Sequence, residues 1–130
     1  MYSLTTTIPA APYRVLEALW YQNQLGKISE HQFQYPYLKQ TQLILEDGSA
    51  FKLTLQNLTG TRLDFLVTDE EGQHSALITI SAIAVNKNLT QVDLNLTQNS
   101  LNGTTKKITN WLKHVMEKVE GHYKLERNLA

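Results

Sequence analysis

The chain has 130 residues, one domain's worth, and a chain of that length buries roughly 65–70% of its unfolded surface without metal or disulfide support. It has no cysteine, which excludes structural disulfides, thiolate catalysis and cysteine-ligated zinc. Twelve basic residues balance twelve acidic ones, so the basic face that nucleic acid asks for is not expected.

Tyr2, Leu4, Thr6 and Ile8 alternate with Ser3, Thr5 and Thr7, the period of a strand with one semi-apolar face. This opening has no basic start and no apolar run, so no secretory leader is expected. Pro9 stops the strand. Pro12 suits the first turn of a helix, where its missing N–H is no loss. Val15, Leu16, Leu19 and Trp20 then mark an apolar stripe through about Gln22. Gly26 breaks the pattern, and residues 27–34 read as either a second short helix or an irregular lead-in to a sheet. Phe33, Tyr35 and Tyr37 alternate around Pro36, so a strand could begin there.

The next strand ends at Leu43-Ile44-Leu45, and Asp47-Gly48 is a strong hairpin signal. Phe51, Leu53 and Leu55 alternate with Lys52, Thr54 and Gln56 on the return. Thr59-Gly60 turns the chain again, and Leu63, Phe65 and Val67 form the next inward set. Asp69 to Gly72 is an acidic loop. Residues 74–85 make a long strand with Ile78, Ile80, Ala82 and Ala84 on one face and Leu77, Thr79, Ser81, Ile83 and Val85 on the other, both partly apolar. Asn86-Lys87-Asn88 turns into a strand where Val92, Leu94 and Leu96 point inward. Short turns between successive strands favour an antiparallel meander, and a twisted sheet of this size tends to curl.

Gly103 opens the last element, one amphipathic helix from Thr104 to about Leu125. Ile108, Trp111, Leu112, Val115, Val119 and Tyr123 recur at helical spacing on one face. His122 falls within that stripe, where an imidazole needs a hydrogen-bond partner, from the protein or from a bound molecule. Gly121 in mid-helix either leaves room for a neighbour or for cavity volume, or marks fraying. Lys106, Lys107, Lys113, Lys118 and Lys124 give a solvated outer face, and Glu120→Lys124 has the favourable orientation of a helix pair. A long helix behind a meander buries its stripe against the sheet, because nothing else is available to cover it. The fold class is therefore α+β, ordered β-α(α)-β(5-6)-α, a curved antiparallel sheet wrapped around a long C-terminal helix, in one domain over residues 1–130.

His31, His74 and His114 are scattered, with no metal-ligand spacing, and no Gly-rich phosphate loop or Ser/His/Asp pattern is present, so no metal and no cofactor are expected. No apolar run approaches the roughly 18 residues of a membrane span. Four Asn-x-Ser/Thr triplets, at Asn57, Asn88, Asn95 and Asn102, are what an Asn- and Thr-rich chain gives by chance.

Over nearly its whole length this order resembles the START-like superfamily, also called SRPBCC, birch-pollen-allergen or helix-grip. Three features carry the likeness: the strand running into Ile8-Pro9-Ala10-Ala11-Pro12 followed by Val15, Leu16 and Trp20; the paired turns at Asp47-Gly48 and Gly60; and the closing helix with its Trp111 stripe. The resemblance, nearest to an uncharacterised small bacterial branch, implies a hydrophobic cavity between sheet and helix. Members bind lipids, sterols, hormones or polyketides; some catalyse cyclisation or dehydration; some are co-chaperones. On this likeness the expected function is non-catalytic binding of a small hydrophobic molecule, lipid-like or polyketide-like, in the cytoplasm. The expected ligand-binding residues are Trp111, Val115, Val119 and His122 from the helix, Phe51, Phe65, Ile80 and Leu94 from the strands, and Tyr35 at the mouth. No catalytic residue is assigned. The alternatives are a protein-interaction or co-chaperone-like module, with homodimerisation left open, and a cyclase or dehydratase needing His122 and a second polar group.

Overall fold

A computed structural model describes residues 2–21, 39–97 and 100–129. The readings of residues 27–34, of a strand beginning near Phe33–Tyr37, and of Tyr35 and His31 lie outside the described residues. Within them the element order is β1 (Tyr2–Ile8), α1 (Pro12–Trp20), β2 (Gln40–Ile44), β3 (Ala50–Leu58), β4 (Arg62–Asp69), β5 (Ser75–Asn86), β6 (Leu89–Thr97), a 3-10 turn (Asn102–Thr104) and α2 (Thr105–Leu129).

Pro12 sits at the start of α1, and the Tyr21 N–H closes its last turn on Glu17 O at 2.8 Å. Between them the helix buries Val15, Leu16, Ala18, Leu19 and Trp20. The five later strands form the expected meander, and β1 closes on β6, giving the antiparallel order β1-β6-β5-β4-β3-β2. The β1–β6 ladder runs from Tyr2 opposite Leu96 to Ile8 opposite Thr90, so strands far apart in sequence are neighbours. At the β2–β3 turn Gly48 has φ 87°, a conformation that costs glycine nothing, and Asp47 Oδ1 accepts the Ser49 N–H at 3.0 Å.

The alternation sorts the two faces of the sheet as the pattern requires. Inward, Phe51, Leu53, Leu63, Phe65, Val67, Ile78, Ile80, Val92, Leu94 and Leu96 are buried. Outward, the register aligns polar rows such as Thr5, Asp93, Ser81 and Arg62. Both α1 and α2 lie on the inner face. α2 presents Ile108, Leu112, Val115, Met116, Val119 and Tyr123, each at most 5% exposed. These six side chains are the stripe that drives it onto the sheet.

Several expectations shift. Ala84 keeps the face of Ile78, Ile80 and Ala82 but is exposed, because the last β4–β5 pair is Arg62 with Ser81 and the β5–β6 hairpin runs on past the core. Leu55 is only partly buried, next to a bulge between Leu55 and Asn57. α2 extends to Leu129, and a 3-10 turn precedes it. A Cβ on Gly121 would meet nothing within 4 Å, so that glycine makes room neither for a neighbour nor for a cavity. No helix among the described residues is long and apolar enough to cross a membrane.

Candidate functional site

Where α2 crosses the sheet the walls are wholly apolar. Leu19 of α1, Phe65, Ile80 and Leu94 of the sheet, and Trp111, Leu112, Val115 and Met116 of α2 surround one hollow. Its volume is about 10 Å³. That is the room of about one water, and apolar walls leave such a space dry. Three aromatic rings take up the volume around it. Trp20 lies 5.6 Å from Phe65, and Trp111 meets Phe65 edge-on at 6.5 Å, spacings at which ring pairs attract.

Five of the residues named from sequence meet here: Trp111, Val115, Phe65, Ile80 and Leu94. Val119 is fully buried but further along α2, away from the hollow. Phe51 is buried in the core and borders a different concavity. His122 is partly buried and packs against the Tyr123 ring at 5.1 Å, away from the hollow. Tyr35 lies outside the described residues. Leu19, Leu112 and Met116 complete the lining. Met116 was missed, although its place four residues after Leu112 and eight after Ile108 is the helical signal.

Trp111 is only partly buried. At about 100° per residue the fully buried side chains of α2 centre some 30° to one side of Ile108, and Trp111 falls roughly 60° to the other. It therefore forms the rim of the seam and not its floor. The same geometry sets His122 on that flank. The α2 backbone runs closest along β1 and α1. On that side Tyr123 Oη donates to Arg14 O at 3.2 Å, with the Arg14 guanidinium 5.1 Å from the ring centre. Toward β2–β4 the helix reaches the sheet with side chains: Trp111 onto Phe65, and Lys107 onto the β2–β3 turn, 2.6 Å from Asp47 Oδ2. The Lys107 ammonium, seconded by Ser49, holds the Asp47 carboxyl well below the usual carboxylate range.

A second concavity, about 660 Å³ and open, lies on the outer face of β2–β4. Gln40, Gln42, Lys52, Thr54, Leu66 and Thr68 form its floor, and Asp69–Gly72 its acidic lip. Nothing in the sequence pattern marked it, because it arises where three strands and a turn meet on the solvent face. Among the described residues no group of three His, Asp or Glu side chains is placed to hold a metal ion.

A curved antiparallel sheet holding a long C-terminal helix defines the α+β helix-grip class. Solved structures share it along nearly the whole chain. A START superfamily protein from Mycobacterium smegmatis matches with TM-score 0.61 at 17% identity, covering 95% of this chain and 97% of that one. The Aha1 dimer from Colwellia psychrerythraea matches with TM-score 0.58 at 11% identity, covering 95% and 96%. The di-domain ARO/CYC StfQ of the steffimycin biosynthetic pathway matches with TM-score 0.57 at 10% identity; 98% of this chain aligns, against 46% of that one. No protein-family model matches the chain, and no curated protein matches its sequence. The chain has the START-like fold.

Proposed function

We propose that this chain is a non-catalytic binding protein that takes a small hydrophobic molecule, lipid-like or polyketide-like, between its sheet and α2. The observation that supports it is the apolar seam with half-buried Trp111 on its rim. Binding pockets are mostly apolar and aromatic, and this wall offers no acid or base to a reaction. At about 10 Å³ the hollow admits a guest only after the Trp111 indole swings off Phe65. The binding volume is then the space the indole vacates together with the hollow. Phe65, Ile80, Leu94 and Val115 would touch the guest, and Val119, His122 and Phe51 would support the walls. A cytoplasmic, bacterial setting belongs to the same proposal.

Native mass spectrometry of the purified protein, with solvent extraction of anything it carries, is the direct test. A co-purifying apolar molecule, lost when Phe65 is changed to Asp, is the expected result. Bare protein, together with no rise in melting temperature from lipids or neutral aromatics, rejects the reading.

A second reading, an interaction module of co-chaperone-like or dimerising type, draws on different residues. Ile83 and Val85 are 59% and 55% exposed on the part of β5 that runs past β4, an apolar patch without cover among the described residues. Light scattering over a concentration series distinguishes the two. Self-association abolished by Ile83→Lys favours the module; a monomer at every concentration removes the dimer form of it.

A further inference from the structure

The two flanks of α2 are held by different chemistry. On the β1 and α1 flank, Tyr123 is buried and bonded to Arg14 O, and Thr6 Oγ1 donates to Glu120 Oε2 at 3.5 Å. On the other flank Lys107 reaches the β2–β3 turn. Its Nζ lies 2.6 Å from Asp47 Oδ2 and donates to Ser49 Oγ at 3.2 Å. The acceptor is pre-set, since Asp47 also accepts the Ser49 N–H and Gly48 between them adopts its positive φ. Both partners are exposed, their side chains at 45% and 47%. Lys107 stands one helical turn before Trp111, on the same flank.

An exposed pair of this kind is weak and is screened by salt, whereas the packed flank is neither. Ile108 and Leu101 remain as buried anchors, so the helix itself stays seated. What can part is the turn from the helix, one helical turn from Trp111 on the same flank. We propose that Lys107, Asp47 and Ser49 form a latch between the β2–β3 turn and α2 on the Trp111 flank, controlling the entry of an apolar guest past Trp111. This rests on the seam being the binding site, and it adds how that site opens.

Two measurements test it. The first is acrylamide quenching of Trp111 as the sole tryptophan, in a Trp20→Phe background. The second is the association rate of the neutral dye N-phenyl-1-naphthylamine, followed by stopped flow. Asp47→Asn and Lys107→Met should each raise both readouts, the rate by about two- to fivefold, the range an exposed ion pair allows. Raising sodium chloride from tens of millimolar to molar should do the same to the unsubstituted protein and nothing to the Asp47→Asn/Lys107→Met double variant. That last arm separates the latch from any general effect of salt on apolar binding. Lys124→Met, which breaks the Glu120–Lys124 pair within α2 itself, should change neither readout. Dye that enters every variant at one rate, with quenching unchanged, overturns the latch and leaves the binding reading standing. Dye that binds none of the proteins at any salt overturns the binding reading, and the latch with it.

Discussion

Thr90 is fully buried, and its hydroxyl donates to Ala10 O at 2.6 Å, joining β6 to the segment that leaves β1. Thr90→Val keeps the shape and removes the donor, leaving the Ala10 carbonyl without that bond. Urea denaturation should show a loss of about 1–3 kcal/mol, the desolvation cost of an unmade bond. The parity of Val92, Leu94 and Leu96 puts Thr90 on the inner face from sequence alone. Its acceptor 80 residues away is not visible there, because pairing of β1 with β6 is a tertiary fact. Gly121 points the other way: it is exposed in mid-helix with open space where a Cβ would go. Gly121→Ala should raise stability by about 0.5–1 kcal/mol, since only backbone entropy and helix propensity change. For Asp47 the folded carboxyl is held below its ordinary range, chiefly by the Lys107 side chain and then by Ser49. A depressed carboxylate stabilises the fold at pH above its unfolded value of about 3.9, and that contribution fades only as pH falls toward the folded value. In a carboxyl-carbon NMR titration Asp47 should have its midpoint below 3.9 by this reasoning, and Lys107→Met should bring it back up.

At the scale of the element, α2 shows where the energy lies. Ile108 is fully buried, while Lys118, about 80° round the helix, is exposed. Ile108→Ala should cost about 2–5 kcal/mol through lost burial and the cavity left behind, and Lys118→Ala less than about 0.5 kcal/mol. A thermal-melt pair of equal size would mean that α2 is not held by its stripe. Helix, strands and turns were legible because their signals are local: a 3.6 period in α2, alternation in β6, Asp47-Gly48 with its positive φ at the hairpin. Burial at Ala84 has the opposite origin. Alternation sets it on the face of Ile78, Ile80 and Ala82, as the register has it, but whether that face is covered there depends on the length of the neighbouring strand, and β4 begins at Arg62. The phase of α2 blurred in the same way. Trp111 and His122 belong to the apolar stripe by spacing, but they face its edge, and which edge runs along β1 and α1 is a tertiary fact.

For the whole molecule the decisive quantity is a volume, and volume is a small difference between large packed quantities that no pattern of residue types encodes. The sequence predicts an apolar interior between sheet and helix. Whether Trp20, Phe65 and Trp111 line a cavity or fill it depends on their rotamers and on the curvature of six strands. Among the described residues the hollow beside them holds about 10 Å³. Trp111→Ala separates a rim that yields to a guest from a plug that is simply part of the core. Trp111 is partly exposed, so its removal should cost less than the roughly 3–5 kcal/mol of a fully buried tryptophan. The space it leaves is apolar and indole-sized, and free indole should bind there and raise the melting temperature with concentration, by about 2.7 kcal/mol of stability at a hundred times its dissociation constant. If Trp111 yields to guests, the unsubstituted protein should bind the same neutral aromatics more weakly, by the cost of displacing its own ring, with an affinity that titration calorimetry can still resolve. If only Trp111→Ala binds them, the ring is a fixed part of the core, the seam is closed for good, and function must be sought on the outer face of β2–β4 or at Ile83 and Val85.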